Sequence, residues 1–389
     1  MASLIIAYSG RALAAAAVKA GEPVHVIDCF ADEDTQALAE TCLVVPPAKG
    51  GAGFHRVSLD DALHQLCGRF DKIVYGAGIE GSPSLLTRLG RAGPIAGNRL
   101  ATLALVKDPV SLSALLAKIG AAHPEISLTP PAQSGWLAKR IGGSGGGHII
   151  WADADIGQAG IRQAGHYYQR AVAGDAVSVL FAANGKEAVV LGYSEQWAAP
   201  TGTSPFRYGG CAGPVELADG TASALADLCS RLTAVTGLVG VNGLDCLIGH
   251  DGTITVIEVN PRPGAAIDLF DAAKLWTIHI DAVSGNLPQP LNAVHAHKRA
   301  AGVLYADAPM LMPSGFVWPS WAADLTPGGR AIPRAAPICT VFAEADLVSD
   351  ARALLENRMR SLYKRLTEAG AHPRPASNDT SHTDPSVAV

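Results

Sequence analysis

Charge is scarce in this sequence and slightly acidic: charged residues make up 17% of 389, with 30 Lys plus Arg against 35 Asp plus Glu and a formal net charge of -5. Without a basic surplus the surface has little to offer a phosphate backbone, which argues against nucleic acid as the main partner. No two of the 7 cysteines stand close enough for a zinc knuckle or a redox CxxC; an odd number of single cysteines points to reduced thiols and a cytoplasmic protein. The opening MASLIIAYSG has no basic segment leading into a long apolar core, and charges interrupt every alanine-rich stretch before it could span a bilayer. Neither secretion nor a membrane partner is expected. The 42 Gly and 25 Pro show no Gly-X-Y period and sit among apolar runs in a chain that is 48% hydrophobic. Collagen and bulk disorder are excluded, and a folded protein rich in tight turns is expected.

At roughly 150 residues per domain, the length calls for two or three units. Apolar runs at Ser3–Ala7, Pro23–Asp28 and Ile73–Tyr75, separated by helical stretches, predict an N-terminal α/β layer with parallel strands. Its first turn lacks a complete G-x-G-x-x-G, because Gly10 is isolated, so a structural lobe is favoured over a dinucleotide site. Between Gly97 and Gly120 the chain reads as helical with a break at Asp108-Pro109, where Pro109 starts a second helix. A helix is predicted from Ala351 to Leu366, and after Gly370 too few apolar residues remain for a core, which predicts a disordered tail at 371–389.

The segment LAKRIGGSGGGHII places Gly142, Gly143, Gly145, Gly146 and Gly147 around Ser144, three positions after Lys139 on an apparent strand. Bare backbone can approach an anion closely, and a lysine beside it can neutralise phosphate charge. A Walker loop needs the lysine after the glycines, so that motif is rejected. The same glycines also suit a flexible structural turn.

In VNGLDCLIGHDGTITVIEVNPRPG, strands over Leu244–Gly249 and Thr253–Val259 flank Asp251-Gly252, a two-residue hairpin signal. Pairing His250 with Thr253 sets Asp245 opposite Glu258, with Asn260 on the same face. Facing carboxylates repel, and a divalent cation resolves the conflict: Asp245, Glu258 and the Asn260 amide oxygen suit magnesium, with nucleotide phosphates completing its shell. Arg262 follows at once and is suited to a carboxylate or a moving phosphoryl group. A solvent-facing acidic hairpin is the plain alternative.

A strand lysine before a Gly-rich loop, a hinge-like middle segment and a distal D…ExN pair of strands together resemble the ATP-grasp superfamily. The sequence looks especially similar to the ATP-dependent carboxylate–amine ligases of the branch that includes tyramine–glutamate ligase. The resemblance implies an α/β ATP-grasp fold: an N-terminal pre-grasp parallel domain at 1–95, grasp lobes at 96–168 and 169–290, and a C-terminal extension at 291–370 packed on the grasp core. It implies ATP and Mg2+ as cofactors, with Asp245, Glu258 and Asn260 holding the metal. Lys139 and the loop Gly142, Gly143, Ser144, Gly145, Gly146 and Gly147 would meet the phosphates. Gln169, Ala171 and Val172 would read adenine, and Asp175 the ribose, one position earlier than the family pattern. Either Arg99 or Lys107 would supply a further basic contact. Arg262 and Lys139 would be catalytic, and Glu195, Trp197, Arg207, Tyr208 and Arg262 would bind substrate. In that role Glu195 meets an amine, and Trp197, Phe206 or Tyr208, with the Trp318/Trp321 region, covers an aromatic ring. The implied reaction joins tyramine to the side-chain carboxylate of glutamate through an acyl phosphate, a step of methanofuran biosynthesis. Another amine or amino acid, and a noncatalytic nucleotide-binding protein, are the alternatives. The partners expected are small-molecule carboxylates and amines, with a homodimer allowed.

Overall fold

The computed structural model describes residues 2–48, 53–152, 165–289 and 297–370. The sequence-predicted tail at 371–389 lies outside the described residues. The first unit alternates strand and helix: β1 (Ala2–Ile6), α1 (Arg11–Lys19), β2 (Val24–Asp28), α2 (Glu33–Leu38), β3 (Thr41–Val44), α3 (Arg56–Gln65), β4 (Phe70–Tyr75) and α4 (Pro83–Ala92). Its four strands are parallel in the order β3-β2-β1-β4. Every residue of β1 and β2 is buried, as expected for strands covered on both faces. The predicted N-terminal layer is therefore present, and β3, too short and mixed to stand out in the sequence, completes its edge.

Two helices follow, α5 (Leu100–Lys107) and α6 (Pro109–Lys118), bent by 84° at the break. Asp108 stops the first and caps the second, accepting from Ser111 N at 2.8 Å, and Pro109 takes the first helical position, where no N–H is needed. Leu103, Val106 and Leu116 are buried against the body of the protein. Among the described residues no single helix is long and apolar enough to cross a membrane.

A small antiparallel sheet in the order β5-β8-β6-β7 is made by β5 (Ile126–Ser127), β6 (Trp136–Arg140), β7 (Ile150–Trp151) and β8 (His166–Arg170). The glycine-rich segment joins β6 to β7. The rest of the chain builds one eight-stranded sheet. Its elements are β9 (Asp175–Asn184), β10 (Ala188–Ala198), β11 (Tyr208–Gly213), α7 (Asp219–Thr236), β12 (Val239–Ile248), β13 (Ile254–Asn260), a 3-10 turn (Ala265–Leu269) and α8 (Ala272–Val283), followed by β14 (Lys298–Tyr305), β15 (Met310–Leu311), β16 (Ala322–Ala323), β17 (Ala331–Ile332), β18 (Pro337–Ala345) and α9 (Val348–Glu368). The strand order is β13-β12-β9-β10-β11-β14-β18-β16, with β15 and β17 pairing separately. The sequence predicted no strand at β14 or β18; β14 pairs with β11 and β18 with β14, which makes the last third of the chain a continuation of this sheet.

The two faces of the large sheet are covered differently. Leu244, Val179, Phe181 and Cys246 pack with Leu225, Leu228 and Leu232 of α7, while Ala300, Val341 and Ala343 pack with Leu355 and Leu362 of α9. The opposite face, with Leu180, Ala182, Val241 and Cys211, meets Ala14 and Ala17 of α1 and Leu275, Trp276 and Ile278 of α8. Alanines on α1 let it lie close against α8.

The first sheet is tied to the last third of the chain by buried charges. Arg11 forms paired bonds to Asp268 at 2.7 Å each and also reaches Asp324 at 3.0 Å, while Asp34 accepts from the backbone of Asp324 and Leu325. Asp32 is buried beside them. Burial, then the Asp324, Asp28 and Asp34 charges, push its carboxyl up to about 8. An unfolded Asp ionises near 4, so between there and about 8 the unfolded chain has lost a proton that the folded chain keeps, and stability falls as pH rises through that window. Asp32→Asn should therefore raise the melting temperature by several degrees at pH 8 and by little at pH 5; an equal effect at both would remove Asp32 as the cause.

Candidate active site

Strand pairing brings the acidic hairpin together, by a route the sequence did not show. The strands end at Ile248 and resume at Ile254, so the predicted two-residue turn with a His250–Thr253 pair is replaced by a five-residue tip closed by Gly249 N to Thr253 O at 2.9 Å. Near the tip Ile248 faces Ile254 and Cys246 faces Val256, one register off the expected one. A bulge after Asp245 then restores it, with Ile257 as the unpaired residue, and Asp245 faces Glu258 while Gly243 faces Asn260. Bulges re-aim side chains in this way beside functional sites.

Asp245, Glu258 and Asn260 thus share the face away from α7. Asp245 accepts from Gln196 Nε2 at 2.7 Å through one oxygen and from Asn260 Nδ2 at 2.7 Å through the other. Burial and the nearby Glu258 charge raise its carboxyl above the usual range, against hydrogen bonds from Ser178 and Gln196. Glu258 goes the other way. Burial alone would raise it, but the Lys107 ammonium in contact with Oε1, then Lys139 and Arg262, bring it down to about 2. Lys107 is the last residue of α5, where the helix dipole favours a cation, and its side chain is 7% exposed.

Lys139 lies on β6 as predicted and is 4% exposed. Its ammonium donates to Gln169 Oε1 at 3.1 Å and stands 5.9 Å from the Tyr167 ring, and burial lowers its pKa. Gln169 also donates to Ile257 O at 3.5 Å, so this one amide clasps the small sheet to the bulge of the large one. Lys107, Lys139, Gly142, Gly143, His148, Tyr167, Ile257 and Glu258 line a single small cavity. Burial takes the His148 imidazole down to about 4, which keeps it neutral at pH 7. Two lysines, a glutamate and the backbone of Gly142 and Gly143 thus meet in one small cavity.

Arg262 is buried against Glu80, its Nε 2.6 Å from the carboxylate, and its other nitrogens reach Pro263 O at 3.3 Å and Asn260 Oδ1 at 3.4 Å. The Asn260 amide oxygen is thus turned to Arg262 and its nitrogen to Asp245. Among the described residues no group of three or more His, Cys, Asp or Glu side chains is placed to hold a metal on its own. Two facing carboxylates fit a hard cation that takes the rest of its shell from phosphate oxygens, whereas the expected Asn260 oxygen would join them only with its amide turned over.

The glycine segment is ordered against two other parts of the protein. Gly145 O accepts from Tyr208 N at 2.9 Å, Gly147 O accepts from Ser204 Oγ at 3.2 Å, and the Trp151 and Phe206 rings lie 5.5 Å apart. A Cβ on Gly146 would come within 1.9 Å of Phe206 O, and Gly146 has a φ of +71°. Close protein contact, besides any approach to an anion, therefore requires glycine at 146.

Other expected positions fall elsewhere. Because Gln196 points at Asp245, its neighbours Glu195 and Trp197 point to the opposite face. There Arg352 of α9 lies 3.3 Å from Glu195 and 4.4 Å above the Trp197 ring. Arg207 is held by Ala199 O and Ala335 O, its guanidinium 3.6 Å over Tyr305. Trp318 meets Phe316, and Trp321 lies beneath Arg358, both on the α9 side. Tyr208 is half-buried beside Cys211, within the field of Asp245 and Asp268. Ala171 N bonds Gly135 O, and Val172 is exposed in the link to β9. Asp175 is exposed at the start of β9 opposite Ile248, three pairs along from Asp245. Of the two further basic residues, Lys107 reaches the acid pair and Arg99 is exposed at the start of α5. Sequence reasoning assigned no role to Glu80 or Gln196. Glu80 had one usable signal, an acid in a glycine-rich turn at the carboxyl end of a parallel strand, where such sheets bind ligands.

Residues 106–266 match the ATP-grasp domain family. No curated protein matches the chain by sequence. Among solved structures it is similar to N5-carboxyaminoimidazole ribonucleotide synthetase from Thermotoga maritima, at 16% identity over 92% of this chain and 98% of that one, TM-score 0.63. It is also similar to L-amino acid ligase from Bacillus licheniformis, at 13% identity over 93% and 97%, TM-score 0.67. A third likeness is to a biotin carboxylase–βγ-ATP complex from Campylobacter jejuni, at 12% identity over 90% and 89%, TM-score 0.67. The chain has the α/β ATP-grasp fold, with its ATP-grasp domain at residues 106–266.

Proposed function

We propose that this protein is an ATP-dependent carboxylate–amine ligase. The observation that carries the reading is the facing pair Asp245–Glu258 beneath Lys107 and Lys139, with Arg262 at the same corner. In this reading residues 1–95 are the pre-grasp domain, 96–168 and 169–290 the two grasp lobes, and 291–370 a C-terminal extension. Lys107, Lys139 and the backbone of 142–147 hold the ATP phosphates, and the β8–β9 link carries the base. Asp245, Glu258 and the Asn260 oxygen hold Mg2+, which when bound offsets charge on the phosphate oxygens.

A substrate carboxylate oxygen attacks the γ-phosphorus, the bond to the β-phosphate oxygen breaks, and ADP leaves with an acyl phosphate formed. Arg262 and Lys139 stabilise charge on the moving phosphoryl group. A neutral amine then attacks the acyl carbon, phosphate leaves with its oxygen, and the amine proton passes to a base. The glycine-rich segment, already seated on Tyr208 and Ser204, excludes water that would hydrolyse the acyl phosphate.

Glutamate and tyramine are the specific pair we propose to test first, with methanofuran biosynthesis as the setting and the cytoplasm as the location. Purified protein with MgATP and a panel of carboxylates and amines should release ADP in a one-to-one ratio with amide. Stoichiometric γ-glutamyltyramine would support that pair; turnover with another pair would keep the ligase and reject it. Nucleotide binding with no ADP release from any pair would reject the ligase in favour of a nucleotide-binding protein.

A further inference from the structure

The turn after β4, Gly76–Ser82, belongs to the first parallel sheet, yet it touches two parts of the proposed phosphoryl site. Glu80 is 3% exposed and accepts from Arg262 Nε at 2.6 Å through one oxygen and from Gly78 N at 3.1 Å through the other. Three of the five guanidinium N–H groups of Arg262 are then engaged, by Glu80, Pro263 O and Asn260, which fixes its plane and leaves two donors for an anion. The next residue, Gly81, lies against Gly142, the first glycine of the β6–β7 connection. A Cβ on Gly81 would stand 2.5 Å from Gly142 O, and one on Gly142 would stand 2.3 Å from the Gly81 Cα. Two glycines facing one another allow this backbone contact.

We propose that Glu80 is a positioning residue for Arg262 and that Gly81 seats the glycine-rich connection, so that one turn of the N-terminal sheet aligns the arginine and the cover of the same phosphoryl group. The inference rests on the nucleotide reading given above. Adjacent residues on one short turn cannot shift independently, so displacing the cover from Gly81 also disturbs the hold of Glu80 on Arg262.

The test compares the wild type, Glu80→Ala and Gly81→Ala by calorimetry with MgADP alone and with MgADP plus beryllium fluoride, which stands in for the γ-phosphoryl group. Hydrogen exchange is followed at 140–149. Glu80→Ala should bind MgADP within about twofold of wild type but lose at least about tenfold in the added affinity that fluoroberyllate gives, because only that group meets Arg262. Gly81→Ala should speed exchange at 140–149 in the free protein and weaken the fluoroberyllate complex in the same way. A merely structural role would lower both affinities together or neither, and either result would overturn the inference. If Glu80→Ala does not fold, Gly81→Ala decides alone: unchanged exchange with an unchanged fluoroberyllate gain overturns it. Failure of the wild type to bind MgADP would reject the nucleotide reading itself, and this inference with it; failure confined to the variants' expected differences rejects only the inference.

Discussion

Asp245→Asn should lower magnesium-dependent turnover by about two orders of magnitude or more while leaving thermal unfolding close to wild type. Its residue is half-buried, and its carboxylate is raised in pKa and held by the amides of Gln196 and Asn260. A neutral amide of the same size can keep those contacts once the neighbours rotate, so the loss falls on charge at the cation. Glu258→Gln should match it in rate and differ in stability. Glu258 holds the buried Lys107 ammonium, so neutralising it strands a cation and should lower the melting temperature as well. Near-wild-type turnover in both variants would remove this hairpin from metal binding. Equal loss of stability in both would mean that the acid pair is mainly a folding device.

Removing Lys139 should have the opposite balance of effects. Burial already disfavours its charged form, and Gln169 is its only side-chain hydrogen bond among the described contacts, so Lys139→Ala relieves a buried charge and should cost little in melting temperature. Affinity for a magnesium complex of a nonhydrolysable ATP analogue should nonetheless fall about tenfold or more, with slower phosphoryl transfer, because a phosphate oxygen loses its cation. Calorimetry and a thermal melt on the same sample separate the two effects. Unchanged affinity together with an unchanged rate would take Lys139 out of the site.

What was legible in the sequence depended on how local the signal was. Asp108-Pro109 marks a helix boundary by its own chemistry, and the break lies there. Lys139 before the glycines needed only a strand and a turn. The facing of Asp245 and Glu258 was read correctly even though the register at the tip was not, because the bulge at Ile257 returns the inner pairs to the expected sum. The residues that lie apart from the acid pair are those whose orientation depends on distant partners. Glu195 and Gln196 are equally polar, and only the pairing of β10 with β9, and of β9 with β12, decides which one faces Asp245. Arg207 could have served any anion, but Tyr305 and two carbonyls hold it. Glu80 reaches Arg262 from 182 positions away in sequence, a separation that no local pattern bridges.

The bulge also separates the hairpin tip from the chemistry behind it. Asp245 is held in place by its ladder to Ser178 on β9, while residues 249–253 lie beyond the phase change at Ile257. A slip among the outer rungs would end at the bulge and leave the acid pair where β9 holds it. The exposed tip at His250 and Asp251 is therefore a site where a spectroscopic label or a short inserted peptide can be carried without rotating Glu258. Deleting Ile257 would make the ribbon regular and leave Glu258 opposite Asp245, while removing the residue whose carbonyl Gln169 bonds.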